Sequence, residues 1–332
     1  MICSDCEIVN VSKHDFFPRM EIISDSLKSF KLLLLLKELF KLLCYFCYIP
    51  ISRIKMRNMF SSDDIIIVSS PAAGMFMSSK NRFILEIHTK FEYFWGTNKL
   101  GRLQSKLMSK PYITVFRTKS DMEKASKYFN STYSYNFINK ELFNDTVSIG
   151  EKIRKHKIIY MGRFGKEKNL PKMIECAKEL KKQVPDFTLD MYGTGVLVDD
   201  IARLIEDNAL SENVHLCGFC NDKNIFDNYS LLWLTSDFEG MSMTIIEAKA
   251  KGVPTISTNW GDGVFEVIHD EEDGFVENTV EDIVDRTVEL MNDKELLINI
   301  SKNALKNFDE FSKENAYKRW IELLKRFEGE LE

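Results

Sequence analysis

The chain has 332 residues, of which 44% are hydrophobic and 29% charged, and it contains few glycines and prolines. This composition is that of a globular protein with a sizeable core, and it excludes disordered, collagenous and coiled-coil chains. The formal net charge of −5 gives no reason to expect a general nucleic-acid-binding protein. At roughly 150 residues per domain, the length predicts two domains.

The net charge has opposite signs in the two halves of the chain. Residues 1–150 carry 21 basic and 14 acidic residues, a net charge of +7. Residues 151–332 carry 24 basic and 36 acidic residues, a net charge of −12. This asymmetry supports two domains and a boundary near residue 150.

The first half opens with a candidate strand at 7–12 and an apolar stretch at 28–50. Residues 32–50, the most apolar part of this stretch, still contain three charged residues, Lys37, Glu38 and Lys41. These charges disfavour a transmembrane helix, since a bilayer span needs about 20 nearly uncharged residues. Three basic residues follow, Arg53, Lys55 and Arg57. An apolar face with a basic flank makes 28–57 a candidate contact with an anionic membrane surface, and the alternative is a helix packed over a sheet.

Short strands and helices alternate through the rest of the chain, which is typical of a doubly wound α/β fold. In the first half, we expect strands at 65–70, 82–87 and 112–116, a short helix after Pro71 and a helix at 119–128. In the second half, we expect strands at 157–161 and 187–192, and further strands at 214–217, 231–235 and 253–257, each of these last three after a helix. We also expect helices at 170–183 and 312–327. Two Rossmann-like halves follow from this pattern.

The seven cysteines include three pairs with C-x-x-C spacing, which is a spacing used by zinc and redox sites. The pairs are Cys3 with Cys6, Cys44 with Cys47, and Cys217 with Cys220. No His stands at ligand spacing from any of them. Because no signal peptide is recognisable, we expect reduced thiols in a cytoplasmic protein.

Ligands of open α/β sheets bind beyond the carboxyl ends of the strands, and four such ends carry informative residues. After strand 157–161, Arg163 and Lys168 could hold a diphosphate at a helix N-terminus; the alternative is two solvated surface cations. After strand 187–192, Gly193 and Gly195 permit close backbone approach to a ligand, although they do not complete a dinucleotide-binding motif. After strand 214–217, Phe219 could stack on a nucleobase or pack in the core.

The fourth strand end carries two glutamates in a loop–helix context. Glu239 ends the loop after strand 231–235, and Glu247 follows eight residues later, about two turns into the next helix. Both carboxylates can accept hydrogen bonds from sugar hydroxyls. The free N–H groups at the helix start can bind an anion. These groups are the backbone of Gly240, Met241, Ser242 and Met243.

The E-x7-E spacing, followed by AKAKGVPTIS, resembles the group 1 retaining glycosyltransferases of family 4, which have the GT-B fold. GRFGKEKNL and IHDEEDGFV are similar to further motifs of this family. The first half resembles the family's acceptor domain more weakly, through DDIIIVSSPAAG and ILEIHTKFEYFWG. The resemblance is strongest across about 155–280.

The resemblance implies two Rossmann-like domains facing a cleft, with residues 1–150 binding the acceptor and 151–311 the nucleotide-sugar. Residues 312–332 would form a C-terminal helix that crosses back to the first domain. It further implies that Arg163 and Lys168 neutralise the donor diphosphate, while Glu247 binds the ribose. Glu239 would hold the transferred sugar, and His88 would reach one of its hydroxyls. The remaining donor contacts would come from Gly193, Gly195, Phe219, Gly240, Met241, Ser242 and Met243.

The function implied by the resemblance is transfer of a hexosyl unit from a nucleotide-diphosphate sugar, with a UDP-sugar the first expectation. The acceptor would be a lipid-linked or polymeric glycan of a bacterial surface polysaccharide, and the anomeric configuration would be retained. The protein would be cytoplasmic and peripheral on the inner face of the plasma membrane. No D-x-D tripeptide occurs, so we expect neither a metal nor a cofactor.

One departure from the family pattern leaves two other hypotheses open. The first strand, glycine loop and helix of the family's acceptor domain are not recognisable, which suggests a shortened N-terminal domain. A degenerate transferase acting as a scaffold subunit would tolerate this change. A nucleotide-sugar epimerase on the same fold would need no acceptor.

Overall fold

The computed structural model describes residues 49–61, 64–69, 71–78, 80–95, 110–139, 156–222 and 224–329. The candidate strand at 7–12 and almost all of the apolar stretch 28–50 lie outside these residues. The chain divides into two compact units, Met1–Glu86 with Trp95–Ile113, and Ile87–Phe94 with Thr114–Glu332. The domain boundaries at 150 and 311 stay predictions.

The first unit contains a parallel strand pair. Strands β1 (Ile66–Val68) and β2 (Phe83–Glu86) pair in parallel, with Ile66 opposite Phe83. The short helix α1 (Pro71–Gly74) joins them, as the sequence predicts. Phe83, Ile84 and Leu85 are fully buried, which explains why this strand is a continuous apolar run. Residues 49–59 are helical, and Ile51 and Ile54 remain exposed there.

A second parallel pair leads into the second unit. Strands β3 (Ile113–Phe116) and β4 (Ser131–Tyr133) are parallel, with Val115 opposite Thr132. Helix α2 (Phe91–Trp95) precedes them and α3 (Lys119–Ala125) joins them. Thr118 caps α3 through its hydroxyl, which accepts from the Asp121 backbone N–H. The helix ends three residues before the predicted position, and β4 was not predicted because three half-buried residues give no clear alternation.

A six-stranded parallel sheet forms the core of the second unit, in the order β10-β9-β8-β5-β6-β7. Its strands are β5 (Lys157–Met161), β6 (Thr188–Tyr192), β7 (Val214–Gly218), β8 (Leu231–Leu234), β9 (Thr255–Ser257) and β10 (Gly274–Val276). The central strand β8 is buried at all four positions. The doubly wound parallel pattern predicted from the sequence is confirmed here.

Among the described residues after β5, six helices follow: α4 (Leu170–Gln183), α5 (Val198–Asp207), α6 (Met243–Ala250), α7 (Val280–Asn292), α8 (Lys294–Asn307) and α9 (Lys313–Glu328). The predicted helix at 170–183 is confirmed residue for residue, because its apolar residues recur at helical spacing and Pro185 follows it. Strand β8 follows a 3-10 turn, Ile225–Asn228, rather than the expected helix.

The terminal helix α9 packs beside β4. Ser312 caps it by accepting from the Asn315 backbone N–H, so the helix begins where the sequence predicts. The Arg319 guanidinium lies 4.9 Å from the Tyr133 ring centroid and 4.6 Å from that of Tyr135. Within the described residues, no helix has the length and apolar character needed to cross a bilayer.

A buried ion pair fixes α6 to the turn before β10. The Lys249 ammonium lies 2.6 Å from Asp273, and the two side chains are 3% and 0% exposed. His269 and Asn307 bond the same carboxylate at 2.8 Å each. Burial lowers the pKa of Lys249, and the Asp273 charge opposes that shift. This carboxylate therefore compensates an ammonium that water does not reach.

We expect Asp273→Ala to lower the free energy of unfolding by about 3–5 kcal/mol, because it leaves the Lys249 charge buried without its counter-ion. Urea denaturation followed by circular dichroism measures this change. Asp285→Ala, on the exposed face of α7, is the control and should change stability by less than about 0.5 kcal/mol. Equal stability of the two variants would contradict the assignment.

Candidate active site

The loops after β5 and β8 fold onto one another at the carboxyl edge of the sheet. The Thr235 hydroxyl lies 3.1 Å from the Lys168 carbonyl oxygen. The Asn169 side-chain amide donates to the Asp237 carboxylate at 2.9 Å. The Asp237 backbone N–H donates to the Glu167 carbonyl at 2.9 Å. These bonds fix the start of α4 against the segment that leads to Glu239.

The result is a shielded ion pair between two of the predicted site residues. The Lys168 ammonium lies 2.5 Å from the Glu239 carboxylate, and the side chains are only 15% and 12% exposed. The Ser236 hydroxyl donates to the same carboxylate oxygen at 2.8 Å. Burial, together with the negative charges of Glu239 and Glu167, raises the pKa of the Tyr160 hydroxyl, so that group stays neutral. A cation and an acceptor of hydrogen bonds thus lie side by side at this edge.

Glu247 lies on the helix that follows this loop. Helix α6 begins at Met243, so Glu247 is in its second turn, closer to the helix start than the two turns expected from spacing. Glu247 is 8% exposed. The Thr244 hydroxyl donates to the Met161 carbonyl at 3.1 Å and joins the helix start to the end of β5. The side chain of Ser242 makes no capping hydrogen bond, and no acidic residue lies in the first turn. The positive end of the helix is therefore not neutralised by its own side chains.

Gly193 and Gly195 are required by packing of the loops themselves. A Cβ on Gly193 would lie 1.8 Å from the Gly162 carbonyl oxygen, and one on Gly195 would lie 2.5 Å from the Phe164 oxygen. Phe164 donates its backbone N–H to Thr194 at 2.9 Å. The loop after β6 thus lies directly against the loop after β5, and only glycine permits that approach.

Two other predicted residues are placed at the surface. The Phe219 side chain follows β7 and is 77% exposed, which is consistent with a stacking platform rather than with core packing. The Arg163 side chain is 74% exposed and its guanidinium lies 2.5 Å from Glu167, four residues on. The structure therefore brings Lys168, but not Arg163, into contact with Glu239.

The segment containing His88 packs against the loop that contains Gly240. A Cβ added to Gly240 would lie 2.8 Å from the His88 carbonyl oxygen, so glycine is needed for this approach as well. The Arg117 guanidinium donates to His88 Nδ1 at 3.2 Å and to the Ser134 carbonyl at 3.2 Å. Met241 is buried nearby, and its sulfur accepts from the Asn136 backbone N–H at 3.2 Å.

Sequence reasoning missed Arg117, Ser236 and Lys90. Arg117 directly follows β3, just as His88 follows closely after β2, so the strand-end rule could have found it. The Lys90 ammonium donates to the Trp260 carbonyl and lies 5.0 Å from the Phe238 ring centroid. Burial lowers the pKa of Lys90, and Asp121 opposes that shift. No sequence signal indicates this last contact.

Across the described ranges, no group of three or more His, Cys, Asp or Glu side chains could hold a metal ion. Cys176 is buried and Cys217 is exposed, and both are free thiols. Burial raises the pKa of the Cys176 thiol to about 12. The absence of a metal and of a cofactor stays a prediction.

Comparison with known proteins identifies the second half of the chain. Residues 144–307 match the family model described as Glycosyl transferases group 1. A poly(glycerol-phosphate) alpha-glucosyltransferase of Bacillus subtilis is 27% identical over 171 residues, which cover 50% of this chain and 25% of that protein. An O-antigen biosynthesis glycosyltransferase of Escherichia coli, WbnH, is 29% identical over 170 residues, which cover 50% of this chain and 46% of that protein. The chain thus spans between about a quarter and a half of the curated relatives it matches.

Solved structures extend the likeness over most of the chain. The structure of Staphylococcus aureus TarM in a complex that includes UDP superposes with a TM-score of 0.71 at 21% identity, covering 83% of this chain and 58% of that one. The Anabaena protein HepE with UDP and glucose superposes with a TM-score of 0.69 at 16% identity, covering 79% and 77%. The chain therefore has the GT-B fold, and residues 144–307 are similar to the group 1 glycosyltransferases.

Proposed function

We propose that this chain is a retaining, metal-independent glycosyltransferase that moves a hexosyl unit from a UDP-sugar to a lipid-linked or polymeric glycan acceptor. The observation that carries the proposal is the shielded pair of Lys168 and Glu239. It lies at the start of two helices, in the E-x7-E context of a group 1 glycosyltransferase domain. The reaction would serve the synthesis of a bacterial surface polysaccharide.

On donor binding, the ion pair of Lys168 and Glu239 would be replaced by contacts of each side chain with the donor. The Lys168 ammonium would turn to the diphosphate, and the Glu239 carboxylate would accept from hydroxyls of the sugar. Because both side chains are largely shielded from water, each charge needs a partner in both states. The donor supplies an anion and hydroxyl donors, so it replaces both partners at once. Glu247 would accept from the ribose hydroxyls.

The chemistry follows from these positions. The bond between the anomeric carbon and the diphosphate oxygen breaks, and the diphosphate keeps the electron pair. Lys168, the N–H groups at the start of α6 and Arg163, once it turns from Glu167, would stabilise the charge that develops there. The acceptor oxygen forms its bond on the face that the diphosphate leaves, and its proton passes to the departing phosphate. Glu239 acts by hydrogen bonding and forms no covalent intermediate.

The remaining predicted residues would complete the donor site. The backbone of Gly240, Met241, Ser242 and Met243 would contact the phosphates or the sugar, and Gly193, Gly195 and Phe219 would border the nucleoside. His88 would bind a sugar hydroxyl, since its segment packs directly on Gly240. UDP is the proposed nucleotide because the TarM and HepE complexes described above include it. Polymer and O-antigen acceptors are named for the curated relatives.

We further propose that residues 28–57 contact an anionic membrane surface on the cytoplasmic side. In the described part of this segment, Ile51 is 50% and Ile54 63% exposed, although both are large apolar side chains. Lys55 and Arg57 are exposed in the same turns. Apolar side chains next to basic ones suit the boundary between acyl chains and anionic headgroups. A lipid-linked acceptor would be presented at that surface.

UDP should raise the melting temperature of the wild-type protein, since a ligand at 100 times its Kd stabilises a protein by about 2.7 kcal/mol. Lys168→Ala should weaken UDP binding by about 10-fold or more, because it removes a charge-assisted contact. Isothermal titration calorimetry measures the Kd of UDP for the wild type and for Lys168→Ala. Lys182→Ala, an exposed cation on α4, is the control and should bind like the wild type. Wild-type affinity of Lys168→Ala would refute the diphosphate assignment.

Glu239→Gln should lower kcat/KM for sugar transfer by about 100-fold or more, because the charge that orients the sugar is lost. Glu206→Gln, exposed on α5, should transfer at the wild-type rate. Nuclear magnetic resonance of the product should show the anomeric configuration of the donor. Inversion would contradict a retaining reaction. Conversion of a UDP-sugar without any acceptor would instead indicate an epimerase, and UDP binding without either reaction a scaffold subunit.

The double variant Lys55→Gln/Arg57→Gln should sediment with vesicles of phosphatidylglycerol and phosphatidylcholine less than the wild type does, by several-fold at low salt. Lys302→Gln/Lys306→Gln removes the same charge from α8, where both side chains are exposed, and should sediment normally. Equal sedimentation of the two double variants would count against the membrane proposal.

A further inference from the structure

Glu266 joins two parts of the second unit that are far apart in sequence. It ends a 3-10 turn, Asp262–Glu266, between β9 and β10, and it is half-buried. One carboxylate oxygen accepts from the backbone N–H of Lys119 at 2.6 Å, and the other accepts from that of Ser120 at 2.7 Å. These are the first two N–H groups of α3, which have no partner within the helix. Glu266 therefore satisfies both and places its charge at the positive end of α3.

The Tyr135 side chain, in the segment that follows β4, feels the charge of the same carboxylate. Burial, followed by the charge of Glu266, raises the pKa of Tyr135, so its hydroxyl remains a donor. Tyr135 is 7% exposed, and its ring lies 5.5 Å from that of Phe311. The Glu266 carboxylate thus fixes the beginning of α3 through two backbone bonds, and its charge acts on the tyrosine that follows β4.

Helix α3, which Glu266 anchors, is bonded in turn to the segment that contains His88. Asp121, in the first turn of α3, accepts from the Phe91 backbone N–H at 3.0 Å and so fixes the end of the His88 segment. Arg117 lies two residues before α3 and donates both to the His88 ring and to the Ser134 carbonyl. Its guanidinium thus joins the His88 ring to the segment after β4. Glu266 is therefore connected through α3 to the His88 segment, which lies against Gly240.

At the far end of α3, a second contact reaches the same turn. The Lys124 ammonium lies 2.9 Å from Glu92 and 2.9 Å from Asp262. These side chains are 40–69% exposed, so the ion pairs contribute little by themselves. The pair of Lys124 and Asp262 joins the same two elements as the Glu266 bonds, which are α3 and the turn Asp262–Glu266. It therefore adds to the interface between them. Glu266 remains its half-buried, doubly bonded centre.

We infer that Glu266 is a positioning residue for sugar transfer, which holds His88 and Arg117 against the loop that begins at Gly240. This inference rests on the proposed function. Glu266 itself touches neither donor nor acceptor in this arrangement. The loops that carry Lys168, Glu239 and Glu247 are fixed by other bonds, made by Thr235 and Thr244. Loss of Glu266 should therefore affect turnover and leave nucleotide binding intact.

Glu266→Gln tests this role with almost no change in shape. The amide has a single acceptor oxygen, and its NH2 group would face one of the two backbone N–H groups. We expect kcat to fall by about 10- to 100-fold, since small misplacements of a catalytic group have effects of that size. The donor KM and the Kd for UDP should stay within about twofold of the wild type. Amide hydrogen exchange measured by mass spectrometry should become faster in peptides covering 87–94 and 117–125.

Two further variants complete the experiment. Glu266→Asp keeps the charge and both acceptor oxygens, so we expect turnover between those of the wild type and Glu266→Gln. Glu123→Gln removes the same charge from the exposed face of α3, where Glu123 lies 3.8 Å from Lys119, and should behave like the wild type. If Glu266→Gln does not fold, Glu266→Asp is compared with Glu123→Gln instead, by the same measurements.

Wild-type kcat in Glu266→Gln would overturn the inference. A lower kcat with unchanged exchange at 87–94 and 117–125 would overturn it too, because Glu266 would then act without positioning these segments. A UDP Kd weakened as strongly as kcat would also contradict it. If the wild type binds UDP and transfers no sugar, the proposed function fails, and the exchange data alone decide whether Glu266 holds the His88 segment.

Discussion

The ion pair of Lys168 and Glu239 is the interaction on which the arrangement of the site depends. Two opposite charges are shielded from water at one sheet edge, and such a pair is favourable only when its geometry is fixed and its other hydrogen bonds are satisfied. Thr235, Ser236 and the Asn169–Asp237 bond supply that geometry. The glycines after β6 serve the same end, because they let a third loop lie directly on the backbone at 162–164.

Charge in this protein acts locally. The second half of the chain carries a net charge of −12, yet the proposed donor is a dianionic diphosphate. The acidic groups elsewhere are paired or solvated, as in the buried contact of Asp273 with Lys249. At the sheet edge, Lys168 and the start of α6 present positive charge within a few ångströms of the proposed diphosphate site, whereas salt largely screens charges farther away than about 8 Å. Glu266 is a second case of a charge with a local role, because its carboxylate bonds the N–H groups at the positive end of α3.

The sequence predicted much of the second half of the chain, because β5 and β8 are mainly apolar runs and α4 has apolar residues at helical spacing. Helix α4 is the clearest case, and Glu239 and Lys168 lie where strand-end reasoning expects them. Strand β4 escaped prediction because three half-buried residues carry no periodic signal. Glu247 lies about one turn past the start of α6 rather than about two, because a helix start is set by local hydrogen bonding that spacing does not reveal.

By itself, the sequence determined the alternation of strands and helices, and with it the parallel sheet and the edge at which ligand-binding residues gather. Both follow from apolar periodicity and from the rule that parallel strands share one carboxyl edge. Only the tertiary structure decided the partners: that Lys168 rather than Arg163 bonds Glu239, that His88 lies on Gly240, and that Glu266 bonds α3. These partners are 71 to about 150 residues apart, and side-chain bonds over such separations depend on how loops close, which no local pattern encodes.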